Sequence, residues 1–200
     1  MLNRTLGNLG SIGTLTVLGI GLVLGFVGTA LQAEDDDLPL NFDANAVNLS
    51  NVGPRGTARL QIRVTRWSTE EERAALMEAL KQSGERSLPD ALFQQERVGT
   101  IRESQGLGEN LRYSRRITNE EGQQQVVLAT DRPLAMVETW RSSRTRRYNV
   151  TVVILTLDAE GRGEGQIMTG SELTWDDAND QLIIEHFASE PVRLTSVRQR

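Results

Sequence analysis

The sequence predicts a mainly β fold, an antiparallel barrel or clam of about eight to ten strands with a helix–turn–helix pair inserted after an early strand. Two observations predict this fold. Short alternating or β-branched segments are separated by Gly, Pro, Asn and Asp at intervals of about ten residues, which is typical of all-β domains. In addition, Tyr148–Asp158 is apolar at both odd and even positions, as expected for a central strand covered on both faces.

The N-terminus has the composition of a secretory signal peptide, which we place at residues 1–33. One basic residue precedes the uncharged apolar run Thr14–Ala30, and the acidic run Glu34–Asp37 follows it. Cleavage is expected after Ala30, with Ala33 and an uncleaved anchor as alternatives; the glycines of the apolar run favour cleavage. We therefore expect an exported protein, periplasmic or secreted, whose mature form has no membrane span.

Composition excludes several functional classes. The chain has no cysteine, so disulfides, Cys-based metal sites and thiol catalysis are excluded. The formal net charge is −5, which argues against a nucleic-acid partner because such proteins usually present a strongly basic face. No cofactor is predicted.

The mature chain is expected to begin with an extension at residues 34–56, which contains a possible short strand at Asn41–Asn51. A single β domain then spans residues 57–200. Its first strand, Thr57–Trp67, alternates cleanly, which predicts one buried and one solvated face. The buried face has Ala58, Leu60, Ile62 and Val64, and the solvated face has Arg59, Gln61, Arg63 and Thr65.

A helical hairpin is predicted at residues 68–95. Ser68 and Glu71 have the spacing of a capping box, in which each side chain satisfies the other residue's backbone amide. The second helix, Ser87–Gln95, carries Pro89 in its first turn, where proline is tolerated. Leu88, Leu92 and Phe93 are the side chains that this helix is expected to bury.

The remaining strands are short and separated by turns. They are predicted at Arg97–Arg102, Leu111–Thr118, Gln123–Thr130, Leu134–Arg141, Tyr148–Asp158, Gly165–Trp175, Gln181–Phe187 and Val192–Arg198.

Segments along nearly the whole mature chain resemble a family of predicted exported bacterial proteins that has no assigned function. They are Ala46–Ser50, Arg66–Arg73, Arg97–Arg102, Leu111–Arg115, Val127–Pro133 and Pro191–Arg198. The order of elements also resembles the β-clam of fatty-acid-binding proteins and lipocalins, although Trp67 lacks the Gly-x-Trp context of the lipocalin signature. The resemblance implies one intact domain and transfers no catalytic or binding residue.

Two charged residues fall on faces that alternation assigns to the interior. Arg115 shares a face with Tyr113, and Glu138 shares one with Trp140. A buried charge needs a partner. Either Arg115 binds a ligand carboxylate or phosphate in a cavity, or it pairs with a carboxylate such as Glu138. The third alternative is that a bulge or a frayed strand end turns both charged side chains outward. In the first case Tyr113, Trp140 and Trp175 would form the apolar walls of the cavity.

Other candidate sites are weaker. His186 is the only histidine, so a His-based metal site is excluded and a Ser–His hydrolase stays an alternative. Asp158–Glu164 and Asp176–Asp180 are oxygen-rich, but hairpin turns use the same residues, so no metal site is predicted. A basic cluster that could contact an envelope protein or an anionic surface consists of Arg141, Arg144, Arg146 and Arg147.

The sequence thus favours an exported, non-catalytic protein that binds a small amphipathic or apolar ligand inside a β-barrel. The first alternative is a structural or interaction protein of the cell envelope with a filled core. The second alternative is a hydrolase that uses His186.

Overall fold

A computed structural model describes residues 22–24, 38–48, 56–83, 87–104, 106–119, 121–134, 150–169, 172–176, 181–185 and 191–200. For residues 22–24, 83, 172–176 and 181–185 only the backbone is described.

Within these ranges the chain forms twelve strands and two helices. Their bounds are β1 Leu22–Leu24, β2 Leu40–Asn48, β3 Gly56–Val64, α1 Glu70–Ser83, α2 Leu88–Gln94, β4 Gly99–Glu103, β5 Glu109–Leu111, β6 Tyr113–Thr118, β7 Gln124–Thr130, β8 Thr151–Leu157, β9 Arg162–Thr169, β10 Glu172–Asp176, β11 Gln181–Glu185 and β12 Val192–Gln199.

Nine of these strands form an antiparallel, nearly closed barrel, which confirms the predicted fold class. Their order is β5-β4-β3-β2-β12-β9-β8-β7-β6. The two strands at the ends of this order, β5 and β6, are consecutive in the chain and meet at Arg112. The amide of Arg112 donates to the carbonyl of Ala129 on β7 (2.8 Å). The interruption at Arg112 is therefore the point where the chain passes from one edge strand of the sheet to the other.

The small second sheet has the order β1-β11-β10. Its first strand, Leu22–Leu24, lies inside the stretch predicted as a signal peptide and pairs with β11. The signal peptide itself stays a prediction.

Strand β8 is covered on both faces, as its composition predicted. Val153, Leu155 and Leu157 belong to the apolar cluster inside the barrel, whereas Val152 and Ile154 belong to a second cluster on its outer face. β8 pairs with β7 and β9 along its whole length.

Large side chains occupy the barrel interior. Among those that are at most 2% exposed are Phe42, Leu60, Ile62, Ile101, Leu128, Leu155, Leu157 and Ile167, which come from six strands. All eight belong to one contiguous cluster. Since a barrel of this size can be filled by its own side chains, this packing accounts for the interior without a bound molecule.

The helical hairpin packs on the outside of the barrel, over β6 to β9. Leu76 and Leu80 of α1, and Leu88 and Leu92 of α2, belong to the same cluster as Ile154. The prediction that Phe93 is buried is wrong: its side chain is 53% exposed, because Leu88 and Leu92 form the inner face of α2. Arg112 lies over its ring, 5.4 Å from the centroid.

The capping box at the start of α1 lies one residue later than predicted. Thr69 Oγ1 accepts from the amide of Glu72 (3.2 Å), and Glu72 Oε2 accepts from the amide of Thr69 (2.9 Å). Ser68 instead anchors the chain to β6, because its Oγ accepts from the amide of Ser114 (3.1 Å). Ser68 therefore joins the helical layer to the barrel.

Candidate functional site

A groove of about 720 Å³ crosses the outer face of β2, β3, β4 and β5. It is lined by Asn41, Phe42, Asp43, Gln61, Ile62, Arg63, Arg97, Thr100, Arg102, Gly108, Asn110 and Arg200. Successive side chains of a strand point to opposite faces, so the neighbours of the buried Phe42 and Ile62 point outward. The apolar interior and the polar groove are thus two faces of the same strands.

Strand register arranges the groove floor in two rows. One row consists of Asn41, Arg63, Thr100 and Asn110. The other row consists of Asp43, Gln61 and Arg102. Arg63 and Arg102 are therefore diagonal neighbours on adjacent strands, at a Cα separation of roughly 7–8 Å. Two guanidinium groups at this spacing can contact one phosphate-sized or carboxylate-bearing group together.

The charge of the groove is positive. Its side chains include four arginines and one acid, Asp43. Asp43 already pairs with Arg200 of the groove, and with Arg59 beside it (3.5 Å). The groove therefore has more guanidinium charge than its own carboxylate can neutralise.

Three groove arginines have no acidic partner among the described residues: Arg63, Arg97 and Arg102. Arg102 is oriented by a hydrogen bond from its Nε to Gln61 Oε1 (2.9 Å). All three are exposed. A guanidinium offers five donors in a fork that matches carboxylate and phosphate oxygens, so these side chains are suited to bind an anion from solution.

Arg115 does not face the barrel interior, and the predicted orientation is wrong. Leu111 lies in the interior cluster, but Tyr113 packs against the outer cluster. The interruption between β5 and β6 at Arg112 breaks the alternation between them. Arg115 lies on the outer face beside α1, where its Nη2 is 3.3 Å from Glu70 Oε1 and its side chain is 18% exposed. Burial raises the pKa of Tyr113, while the charge of Arg115 and a hydrogen bond from it lower that pKa.

The other predicted site residues are not brought to the groove. Glu138 and Trp140 lie outside the described residues, as do His186 and the basic cluster Arg141, Arg144, Arg146 and Arg147. Trp175 lies on β10, of which only the backbone is described.

The oxygen-rich segment Asp158–Glu164 forms a turn. Asp158 Oδ1 accepts from the amides of Glu160 (3.0 Å) and Arg162 (2.8 Å), and Gly161 has a positive φ of 71°. Within the described ranges, no group of three or more His, Cys, Asp or Glu residues is placed to hold a metal ion. Among the helices of those ranges, none has the length and hydrophobicity to cross a membrane.

Sequence reasoning identified the outward face of β3 but not the groove. Arg59, Gln61 and Arg63 were correctly assigned to a solvated face. The sequence did not show which strand lies beside β3. Its neighbour is β4, which follows it in the chain only after the helical hairpin. Only that pairing places Arg63 beside Arg102.

Comparisons with protein-family models, with curated proteins and with solved structures find no match for this chain. The groove is therefore interpreted from its own chemistry.

Proposed function

We propose that this is an exported, non-catalytic interaction protein whose core is filled and whose outer groove binds a carboxylate- or phosphate-bearing partner. The observation that carries the proposal is the set of three exposed arginines, Arg63, Arg97 and Arg102, which line one groove without an acidic partner among the described residues. The N-terminal composition and the resemblance to exported bacterial proteins support export.

The packing of the barrel favours a surface function over a ligand held inside. Phe42, Leu60 and Ile62 fill the interior side of the same strands that carry the groove. Arg115, the residue expected to anchor an internal ligand, lies on the outer face and is close to Glu70. An internal site would depend on free space in the barrel and on an inward Arg115. Core side chains fill that space, and Arg115 contacts Glu70 instead.

Electrostatics support an anionic partner in particular. The whole chain is acidic, with a formal net charge of −5, so a concentrated group of arginines makes the groove unlike the rest of the molecule. A concave surface lined by one sign of charge raises the local concentration of counter-ions and speeds their association. Thr100, Asn41 and Asn110 add neutral hydrogen-bonding groups to the floor of the groove.

The proposal is tested by isothermal titration calorimetry with pyrophosphate as the probe. The groove variant carries Arg63→Gln and Arg102→Gln. The matched control is Arg193→Gln, which removes an exposed arginine of β12 that does not line the groove. An exposed ion pair is worth up to about 1 kcal/mol, so each groove substitution is expected to weaken binding by about fivefold.

We expect the wild type and Arg193→Gln to bind pyrophosphate alike and the double variant to bind more weakly, with binding that falls as salt rises. Equal binding by all three proteins, or none by the wild type, would overturn the proposal. Urea unfolding serves as the folding control, because exposed substitutions of this kind change stability by only about 0.5 kcal/mol or less.

A further inference from the structure

We infer that the partner of the groove is an anionic lipid surface and that Leu107, at its rim, inserts between the lipids. This inference rests on the proposed function and names its partner. Leu107 is 97% exposed, and with Phe93 it is one of two large apolar side chains that are exposed in the described part of the chain. It lies between β4 and β5, the two strands that form one side of the groove.

Leu107 lies one residue from the groove lining, beyond the end of β4 that carries Arg102. The next residue, Gly108, lines the groove, and a Cβ built there would lie 3.4 Å from the Cβ of Arg102. A single exposed leucine is ordinary on a protein surface. A fully exposed leucine at the rim of a groove that carries guanidinium groups without acidic partners among the described residues has the combination of charge and apolar surface that a lipid interface accepts.

Acidic side chains near the tip do not cancel this arrangement. Glu109 pairs with Arg132 at 3.6 Å. Glu103 follows Arg102 on β4, and successive strand side chains point to opposite faces, so its carboxylate is directed away from the groove.

A membrane would contact both the groove arginines and Leu107, whereas an acidic protein segment would contact the arginines alone. Phosphate headgroups would contact Arg63 and Arg102, while the acyl region would receive Leu107. An acidic segment in the groove would satisfy the arginines but leave Leu107 in water. The chain as a whole is acidic, with a formal net charge of −5, but the groove carries three arginines without an acidic partner among the described residues, so an anionic membrane would attract this face.

The test is co-sedimentation of the full chain with phosphatidylcholine vesicles made with and without phosphatidylglycerol. The apolar run Thr14–Ala30 is expected from its composition to bind lipid whatever the headgroup charge, so the readout is the ratio of binding to the two kinds of vesicle. The variants are Arg63→Gln with Arg102→Gln, and Leu107→Ser. Phe93→Ser is the matched control, because Phe93 is exposed but belongs to α2 and does not line the groove.

We expect the wild type and Phe93→Ser to prefer the anionic vesicles equally. The arginine variant should lose about fivefold per substitution in that preference, since one basic residue near a charged membrane contributes about this much. Leu107 reaches the acyl region only where the arginines hold the groove against anionic headgroups, so Leu107→Ser should lower the same preference by about tenfold, which is the scale of burying a leucine side chain.

Two further outcomes separate the inference from the proposal on which it rests. If pyrophosphate binding depends on Arg63 and Arg102 but the vesicles are not distinguished, the lipid partner is wrong and a soluble anion or an acidic protein takes its place. If pyrophosphate does not bind at all, the proposed function itself is wrong. Vesicle binding that is unchanged in Leu107→Ser would overturn the role given to that side chain.

Discussion

The guanidinium of Arg66 meets the carboxylate of Glu72 at two points, with N–O distances of 2.9 and 2.7 Å. Arg66 follows β3 and Glu72 lies in the first turn of α1, so the pair fixes the angle at which the helical layer leaves the barrel. The same carboxylate accepts from the amide of Thr69. The hydrogen bond from Arg66 lowers the pKa of Glu72, and the hydrogen bond to Glu72 raises the pKa of Arg66.

Glu72→Gln is expected to lower the free energy of unfolding by about 1–2 kcal/mol at neutral pH, because it removes a two-point, charge-assisted contact. Since the folded-state pKa of Glu72 is lowered, its contribution is present above the unfolded value and is lost as pH falls through the folded value. The difference between wild type and variant should therefore vanish in acid. Urea unfolding across this pH range measures it, with Glu78→Gln, an exposed change in the same helix, as control.

Tyr113 is expected to make the fold sensitive to alkali. Burial raises its pKa in the folded state, so the stability that it contributes is complete below the unfolded value and is lost as pH rises through the folded value. Tyr113→Phe should keep its stability at alkaline pH better than the wild type. Absorbance of tyrosinate checks the prediction directly, because the chain has two tyrosines. Two tyrosines that titrate at the ordinary pKa would contradict it.

Thr130, Thr151 and Thr169 align across neighbouring strands at one end of the barrel interior. Because their hydroxyls differ in hydrogen bonding, replacing them with valine should change the free energy of unfolding differently. Thr130 Oγ1 is buried without a hydrogen-bond partner among the described residues, whereas the hydroxyls of Thr151 and Thr169 are 3.3 Å apart. Thr130→Val should be neutral or stabilise the fold by about 1 kcal/mol. Thr151→Val removes a hydrogen bond and should cost about 1 kcal/mol. If urea unfolding showed the same decrease in the free energy of unfolding for both variants, this prediction would be wrong.

The approach of β8 to β9 requires glycine at position 163. A Cβ added there would lie 1.8 Å from the carbonyl oxygen of Thr156, which belongs to the strand backbone and cannot move independently. Gly163→Ala should destabilise the fold by roughly 3 kcal/mol or more. Gly106→Ala is the control, because its Cβ would meet nothing closer than 3.5 Å. Thermal unfolding of the two variants at similar temperatures would refute the steric argument.

Local periodicity predicted the parts of the fold that one strand determines by itself. The two apolar faces of β8 and the inward face of β3 could be read from the sequence because neither depends on the identity of the neighbouring strands. The segments that form β6 and β7 were predicted as strands for the same reason, and they pair with each other.

The predictions that failed depend on tertiary structure. Arg115 was assigned inward by counting from Leu111, but the strand is interrupted at Arg112, so Leu111 faces the interior while Tyr113 and Arg115 face outward. Phe93 was expected to be buried because apolar residues usually are, yet a short helix packs only one face. The groove was missed because Arg63 and Arg102 are far apart in sequence and become neighbours only through the pairing of β3 with β4.

The most direct test of the central claim is an NMR titration that follows the Nε–H groups of the arginines while pyrophosphate is added. The account predicts that the resonances of Arg63, Arg97 and Arg102 shift together and saturate, while those of Arg193 and Arg115 do not move. Shifts confined to Arg115, or to the cluster from Arg141 to Arg147, would contradict the assignment of anion binding to the outer groove.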